Sequence, residues 1–511
     1  MKLVTPKQMK QIDEIAKTRY NIPSLLLMEQ ASYQVFKEIE QLEEDLKEVV
    51  IVCGPGNNGG DGFSLARQLV SWSKRQVNIL MLASPEKLTA DGKVYYDIAK
   101  AVGIPILQVD ETNKHIAKAY LDKAHIIVDA LFGTGLTRIV EGLFAEIITY
   151  INGLDAVKIC VDIPSGIDGM TGKVQGVCIK ADKTITFALG KIGLMLYPAI
   201  DYIGELKIVD IGIPKALLDE VATNYYMLEK EMMKAIMPKR FTRSNKGTYG
   251  KILIIGGQRG MSGAPTLTSM AALSIGGGLV TAAVPEAIHD IMEVKLTEVM
   301  TIPLPSELGH IGIEAIRAIK SLIPKYTILA IGPGLGRSEA TKEAIRVILE
   351  SNKPCVIDAD GLFFIKEFEE LLQKRKAPVI LTPHPGEMAR LTGKSIEEIL
   401  EHPIEISSEY AQKNKVILVL KIERTVIADQ FGNIYISKNG NSGMAKGGSG
   451  DVLTGMIVGL WAQNIMPIEA AVLGVYIHGK AGDLLIQKKN EYTLLPSDIY
   501  KEGINLVLHE F

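Results

Sequence analysis

The 511-residue chain has only four cysteines, Cys53, Cys160, Cys178 and Cys355, and no two of them form a CxxC pair. That favours free buried thiols in a reducing, cytoplasmic setting over a disulfide framework or a structural zinc site. Charge of one sign is also lacking. A net charge of −3 gives no electrostatic basis for binding nucleic acid or an anionic membrane. The start, MKLVTPKQMKQIDEIAKTRY, has no apolar core between its charges, so no signal peptide is expected. Only Met261 to Pro285 is uncharged for long enough to cross a bilayer. Its SGAP opening and its Gly276-Gly277-Gly278 interruption instead predict a buried helix, a turn and a strand. Low-complexity tracts are missing. So is an internal repeat: both halves begin with a strand and a glycine loop, then diverge.

What is present is ordinary soluble composition, 47% hydrophobic and 23% charged, in a chain long enough for about two to four domains. Short β-branched runs alternate with amphipathic segments such as 62–74. The runs include VVIVCGPG (49–56), VNILMLA (77–83), AHIIVDALFG (124–133) and VKICVDIPSG (157–166). This alternation predicts parallel sheets covered by helices on both faces. Between 215 and 245 the pattern breaks into a charged stretch that reads as a helical connector. A second series follows, from KILIIGGQRG (251–260) to PVILTPHPGE (378–387). We therefore expect a boundary near residue 230, with domains over 1–225 and 235–511.

GPGNNGGDG (54–62) contains GxGxxG between a strand and a helix, as a dinucleotide fold requires. The second strand lacks the acid that would hold a ribose hydroxyl, and Asp61 would repel a pyrophosphate. Redox use of NAD is therefore not the expectation. Acids and amides recur instead at strand exits: Asn57, Asn58 and Asp61, then Asp129, then Asp162, Ser165 and Asp168. Each alone could be a cap or turn residue. Gathered at one sheet edge, they could hold a hard cation or supply a general acid or base.

MEQAS (28–32), GPGNNGGDGF (54–63), DALFGTGL (129–136), VDIPSGIDGMTG (161–172) and ADKTITFALGKIGL (181–194) resemble the NAD(P)H-hydrate epimerase domain over residues 1–215. The resemblance implies one substrate loop at Asn57, Asn58, Gly59, Gly60 and Asp61. It implies a second at Gly133, Thr134, Gly135, Leu136, Thr137, Arg138 and Ile139. K+ contacts would come from Asn58, Asp129 and Ser165, and the catalytic Asp162 would lie at the reacting carbon. Ser32 departs from the pattern, where Gly or Ala is commoner.

In the second half, glycine turns again sit at strand exits, and His384 lies between two prolines in TPHPGE. GNSGMAKGGSGDVLTG (440–455) has no GK[ST] ending and holds an acid. Gly447, Gly448 and Gly450 free backbone N–H groups to face an anion at a helix N-terminus. Asp451 suits a hydroxyl lying between it and a transferred phosphoryl group. The bland reading makes Asp451 an N-cap and the glycines a tight turn. GGSGDVLTG resembles the anion-hole motif of the ribokinase-like superfamily. KGTYGKILIIGG (246–257), GMSGAP (260–265), GPGLG (332–336), DADGL (358–362), LTPHPGEMARL (381–391) and HGKAGD (478–483) narrow the resemblance to the ADP/ATP-dependent NAD(P)H-hydrate dehydratase.

That resemblance implies hydrate contacts from Ala264, Gly334, His384 and the catalytic Asp451. It implies adenine-nucleotide contacts from Lys421, Ile422, Glu423, Arg424 and Thr425, and from Gly447, Gly448, Ser449 and Gly450. Mg2+ would accompany the ADP or ATP. Ile422 departs from a usual glycine, Ser442 from proline and Lys446 from threonine, the last adding a positive charge beside the loop. The expected fold is two tandem three-layer α/β/α domains, the first Rossmann-like and the second ribokinase-like. The expected partners are small molecules, with no nucleic acid and no membrane, in a homo-oligomer. A rival is a vitamin or sugar kinase fused to a Rossmann-like binding module, against which TPHPGE and GPGLG speak. Another makes the first half a non-catalytic scaffold.

Overall fold

A computed structural model describes residues 1–511. The chain forms two compact units, residues 2–223 and 224–511.

The first unit is built on a seven-stranded sheet. In spatial order its strands are Ile106–Gln108, Gln76–Met81, Glu48–Cys53, Ile126–Ala130, Val157–Val161, Lys183–Phe187 and Glu205–Val209, every pairing parallel. Apolar clusters on both faces, one including Phe63 and Leu69 and the other Ile147 and Ile151, cover the sheet with helices. From Glu48–Cys53 the chain builds outward in one direction, then returns to Ile126–Ala130 and builds in the other. The crevice at such a reversal, beyond the carboxyl ends of the strands, is where ligands bind. A short strand, Lys2–Val4, pairs in parallel with Gly190–Lys191 and sets Val4 opposite Lys191.

The second unit has seven consecutive parallel-paired strands: Met300–Leu304, Leu279–Pro285, Lys251–Ile255, Ile328–Ile331, Cys355–Ile357, Val379–Leu381 and Ile417–Leu420. Val426–Ala428 and Ile434–Ile436 extend it antiparallel. The stretch 215–245 departs from the expected helical connector. It contains helices Lys215–Glu220 and Lys230–Ile236, but also a strand, Tyr225–Met227, paired with Ile434–Ile436. Leu228 and Met233 are buried in the second unit's core. The uncharged stretch folds as expected, into helix Gly263–Ser274 and strand Leu279–Pro285 around the triple glycine. No helix is long and apolar enough to cross a membrane.

Candidate active sites

In the first unit the strand exits at the reversal open onto a cavity of about 600 Å3. Asn57, Asn58, Asp61 and Asp162 line it, together with the whole run Gly133 to Arg138. The expected glycine loop is half helix: helix Asn57–Trp72 starts directly after Gly56, so Asn57 to Asp61 form its first turns. Gly59 and Gly60 do not face the cavity, because they are contact points. A Cβ at Gly59 would lie 2.0 Å from the Gly54 carbonyl oxygen, and one at Gly60 would lie 2.6 Å from the Met28 sulfur. Ile139 also falls outside, 60% exposed beyond the cavity-lining run. Ser32 causes no packing conflict. It is buried, and its hydroxyl donates to Met28 O (2.7 Å) and Asp61 O (3.0 Å), tying the two helices together.

Asp129 ends one strand, and Ser165 follows the neighbouring one. The Ser165 hydroxyl donates to Asp129 Oδ1 (2.6 Å), its N–H donates to Oδ2 (2.7 Å), and its Oγ accepts from Phe132 N–H (2.8 Å). Burial pushes the Asp129 carboxyl up, against the pull of these donors. Asn58 Oδ1 faces Gly133, and its Nδ2 is buried without a partner. Asp168 is a turn residue, as the bland reading had it: Oδ1 accepts from the N–H groups of Met170 and Thr171.

Asp162 has φ of 65°, a conformation that costs a non-glycine residue free energy and persists at over-determined functional sites. What holds it is Lys191, 1% exposed. The ammonium donates to Asp162 Oδ1 at 2.5 Å, Thr186 Oγ1 at 2.9 Å and Phe187 O at 3.0 Å. Thr186 Oγ1–H and Phe187 N–H also point at Oδ1. Every hydrogen bond to the Asp162 carboxylate therefore falls on Oδ1, and Oδ2 is free to accept from a ligand.

In the second unit, helix Ser449–Trp461 packs on helix Gly263–Ser274. Gly455 and Gly459 permit it, since a Cβ at either would lie within 2.5 Å of a backbone oxygen of the partner helix. The glycine loop is thus set beside Ala264. Gly448 is the N-cap, at φ of 101°. Asp451 is therefore the third helical residue rather than the cap, and its carboxylate accepts no hydrogen bond from the protein. Burial and the nearby Asp358 push it up to about 6, with Lys421 opposing.

Lys421 donates to Asp358 Oδ1 at 2.7 Å and lies 4.0 Å from Glu387. Thr454 donates to the other Asp358 oxygen at 2.7 Å. Burial works against the Lys421 charge, but the two carboxylates outweigh it and raise the ammonium above its ordinary value. Its Nζ is 3.3 Å from where a Gly450 Cβ would stand, at the mouth of the glycine loop. Under that loop His478 Nε2 sits 3.4 Å from Ser449 Oγ, pushed down to about 4 mainly by burial and so kept neutral. Gly334, at φ of 62°, abuts Ala264, whose Cβ is 3.1 Å from a Cβ built on the glycine. His384 caps helix Pro385–Thr392, its Nδ1 accepting from Gly386 N–H, with Nε2 3.5 Å from Glu387. Lys421 N–H donates to Pro383 O, which joins the 421–425 stretch to this loop.

The departures resolve individually. Ile422 lies outside the positive-φ residues, so no glycine-like conformation is needed there. Its carbonyl accepts from Thr425 Oγ1 at 3.2 Å. The Ser442 hydroxyl donates to Glu491. Lys446 does not serve the anion loop, because its ammonium is spent on the carbonyls of Glu491, Tyr492 and Leu494.

Two family models match this chain. One, described as YjeF-related protein N-terminus, covers residues 24–193; the other, described as NAD(P)H-hydrate dehydratase, covers residues 252–505. The bifunctional NAD(P)H-hydrate repair enzyme Nnr of Moorella thermoacetica is 40% identical over 505 residues, spanning 98% of this chain and 95% of that protein. This chain belongs to the family of bifunctional NAD(P)H-hydrate repair enzymes. The Escherichia coli (strain K12) member is 32% identical over 93% of this chain and 88% of its own length. The crystal structure of the ADP/ATP-dependent NAD(P)H-hydrate dehydratase from Bacillus subtilis, co-crystallised with ATP/Mg2+, is 31% identical. It covers 57% of this chain and 99% of its own, with a TM-score of 0.50. A repair-enzyme family spanning both halves does not favour the fused-kinase alternative.

Within this family frame, reading the sequence missed Lys191, Asp358 and Glu387. Lys191 had a usable signal, a lone lysine between apolar and glycine residues in FALGKIGL. Asp358 had another, the first acid of DADGL at a strand exit.

Proposed function

We propose that the chain restores hydrated NADH and NADPH: the first unit interconverts the R and S hydrates, and the second dehydrates the S form with ADP or ATP. The observation that carries the reading is Asp451, an acid without a protein partner at the mouth of an anion-binding helix. Lys421 is locked beside it on Asp358.

The hydrate carries a hydroxyl on a carbon next to the ring nitrogen. In the second unit Asp451 takes the hydroxyl proton as the oxygen attacks the terminal phosphorus of the nucleotide, and the leaving ADP or AMP carries off the broken P–O electron pair. The Gly447 to Gly450 backbone and the Lys421 ammonium stabilise the phosphoryl oxygens. The ring nitrogen lone pair then expels inorganic phosphate, a far better leaving group than hydroxide. Loss of a ring proton completes the reduced nicotinamide. Ala264, Gly334 and His384 are the residues we assign to holding the hydrate. Mg2+ keeps phosphate oxygens and water as ligands, so an ion arriving with the nucleotide needs no cluster of three protein ligands, and none is present.

In the first unit Asp162 lies at the reacting carbon, and Oδ2 serves proton transfer there. Asn58, Asp129 and Ser165 fit K+. They are hard oxygen donors on adjacent strand exits, and burial pushes the Asp129 carboxyl up in spite of its hydrogen bonds, so its charge is one a cation would stabilise. A bound cation would supply positive charge near the substrate loop.

The reading includes a cytoplasmic homo-oligomer. The four cysteines are buried free thiols, as a reducing compartment keeps them, and light scattering measures the assembly. The chemistry is tested by incubating S-hydrate with ATP and following phosphate and reduced nicotinamide together. Release in a one-to-one ratio is expected. A stable phosphorylated product without restored nicotinamide absorbance would sink the dehydratase reading.

A further inference from the structure

Inverting the hydroxyl-bearing carbon needs two proton events, one at the departing oxygen and one at the returning oxygen. Asp162 can serve one. The charges around the cavity identify a group for the other.

The cavity holds three carboxyl groups close to one ammonium: Asp13, Asp61 and Asp162 line it with Lys191. The ammonium has three hydrogens, and all are used, on Asp162, Thr186 and Phe187. None remains for Asp61, whose carboxyl makes no hydrogen bond or ion pair with the protein. Asp61 is also fixed in place. Its backbone is clamped by Ser32, and it sits on the first turns of helix Asn57–Trp72 beside the substrate-loop residues Asn57 and Asn58.

Its electrostatic surroundings come from every side. Asp13 and Lys10 face the cavity from helix Pro6–Arg19, Asp162 and Lys191 from the sheet side, and Asp91, on helix Ala90–Ala101, and Arg138 also line it. The Cys53 thiol lies beneath. Burial pushes Asp61 well above the usual carboxylate range, Asp162 and Asp13 push it further, and Lys191 opposes them. A carboxyl beside a fixed carboxylate, with no cation of its own, keeps its proton.

We propose that Asp61 is a second catalytic residue of the first unit, holding the proton that the departing hydroxyl of the hydrate takes. The proposal rests on the epimerase reading of this cavity. Asp61 gives its proton to the hydroxyl oxygen, and the C–O bond breaks with its electron pair leaving in a water molecule. The ring nitrogen lone pair forms the C=N bond of an iminium. Water then adds to the opposite face, and its surplus proton passes to Asp162. Exchange with cavity water returns a proton to Asp61 and takes one from Asp162, so no oxidant, reductant or further reactant is needed.

The test uses the full chain, purified R-hydrate and no nucleotide, with spontaneous epimerisation subtracted. Asp61→Asn should lower kcat for epimerisation by about 10²-fold, with KM within about threefold of wild type. Because the acid works only while protonated, the wild-type rate should fall as pH rises, and Asp61→Asn should lose this descending limb. A kcat within about threefold of wild type, a change in KM alone, or a retained descending limb would overturn the proposal. Should Asp61→Asn not fold, Asp61→Glu decides: a displaced descending limb supports the assignment, and an unmoved one overturns it. Asp162→Asn, measured in parallel, separates the two ideas. Loss there with normal Asp61→Asn activity overturns this proposal alone, whereas normal activity in both overturns the epimerase reading as well.

Discussion

The two candidate sites draw on nearly the same side chains and connect them in opposite ways. Each sets a buried lysine among several acids: Lys191 with Asp13, Asp61 and Asp162, and Lys421 with Asp358, Asp360, Glu387 and Asp451. In the first unit the lysine grips the acid assigned to the reaction, Lys191 to Asp162 at 2.5 Å. In the second it grips an acid that is not, Lys421 to Asp358 at 2.7 Å, and Asp451 stays unpaired. The difference follows from where negative charge must go. A site that receives phosphate needs its ammonium held ready for the incoming anion, and Asp358 does that holding. A site for a substrate centre without transferred phosphate can spend its ammonium on orienting a carboxylate.

The largest effect expected from this contrast is on Asp451→Asn. Dehydration should fall by about 10²–10⁴-fold, while epimerisation by the same chain is unchanged; a coupled loss of both would break the comparison. Next is Lys191→Met, which leaves Asp162 buried without its cation. Breaking a buried pair in this way costs about 3–5 kcal/mol, read as a lower unfolding midpoint for the first unit, and epimerisation should be lost with it. Lys421→Met also leaves Asp358 buried without its cation, so it should lower the unfolding midpoint of the second unit. Beyond that it should raise KM for ATP and lower kcat for dehydration, the role proposed for this lysine.

A smaller effect sharpens the same contrast through pH. Asp451 is pushed up to about 6, and in the role proposed for it the ionised form is the base. Dehydration kcat/KM should therefore be full above that value and fall about tenfold for each pH unit below it. A pH profile without this acid limb would remove Asp451 from the role of base. Exchanging K+ for a bulky organic cation should depress epimerisation alone, measured with both activities in one preparation. The smallest effect expected is Gly448→Ala. Its φ of 101° and a Leu267 methyl 2.6 Å from the new Cβ should cost about 1–2 kcal/mol, seen as a modest shift in thermal unfolding and a weaker nucleotide KM.

Much of this was legible in the sequence because short β-branched runs and glycine turns are local signals. The strands after Glu48 and after Lys251 fall where the runs do, and the acids at their exits converge as parallel topology requires. What was hidden is non-local or runs against local propensity. Lys191 showed in the sequence only as a lone lysine among apolar and glycine residues. Its hold on Asp162 depends on the acceptors of Thr186 and Phe187 and on its strand's pairing with Lys2–Val4, which that pattern does not report. Asn57 to Gly62 are helical although glycine disfavours helix. Close packing against Gly54 and Met28 explains both the glycines and the helix. Tyr225–Met227 is too short to register as a strand within a charged stretch, and it is Ile434–Ile436, about 200 residues on, that it pairs with. Lys446 read as a positive charge beside the loop, and the structure spends it on three carbonyls.

The central claim is that the two charge arrangements do two separate jobs, and purified R-hydrate with ATP tests it most directly. Wild type should return reduced nicotinamide from this epimer, Asp451→Asn should stop at a mixture of R and S hydrates, and Asp162→Asn should restore only added S-hydrate. Recovery of NADH from R-hydrate by either variant at the wild-type rate, after subtraction of spontaneous epimerisation, would contradict it.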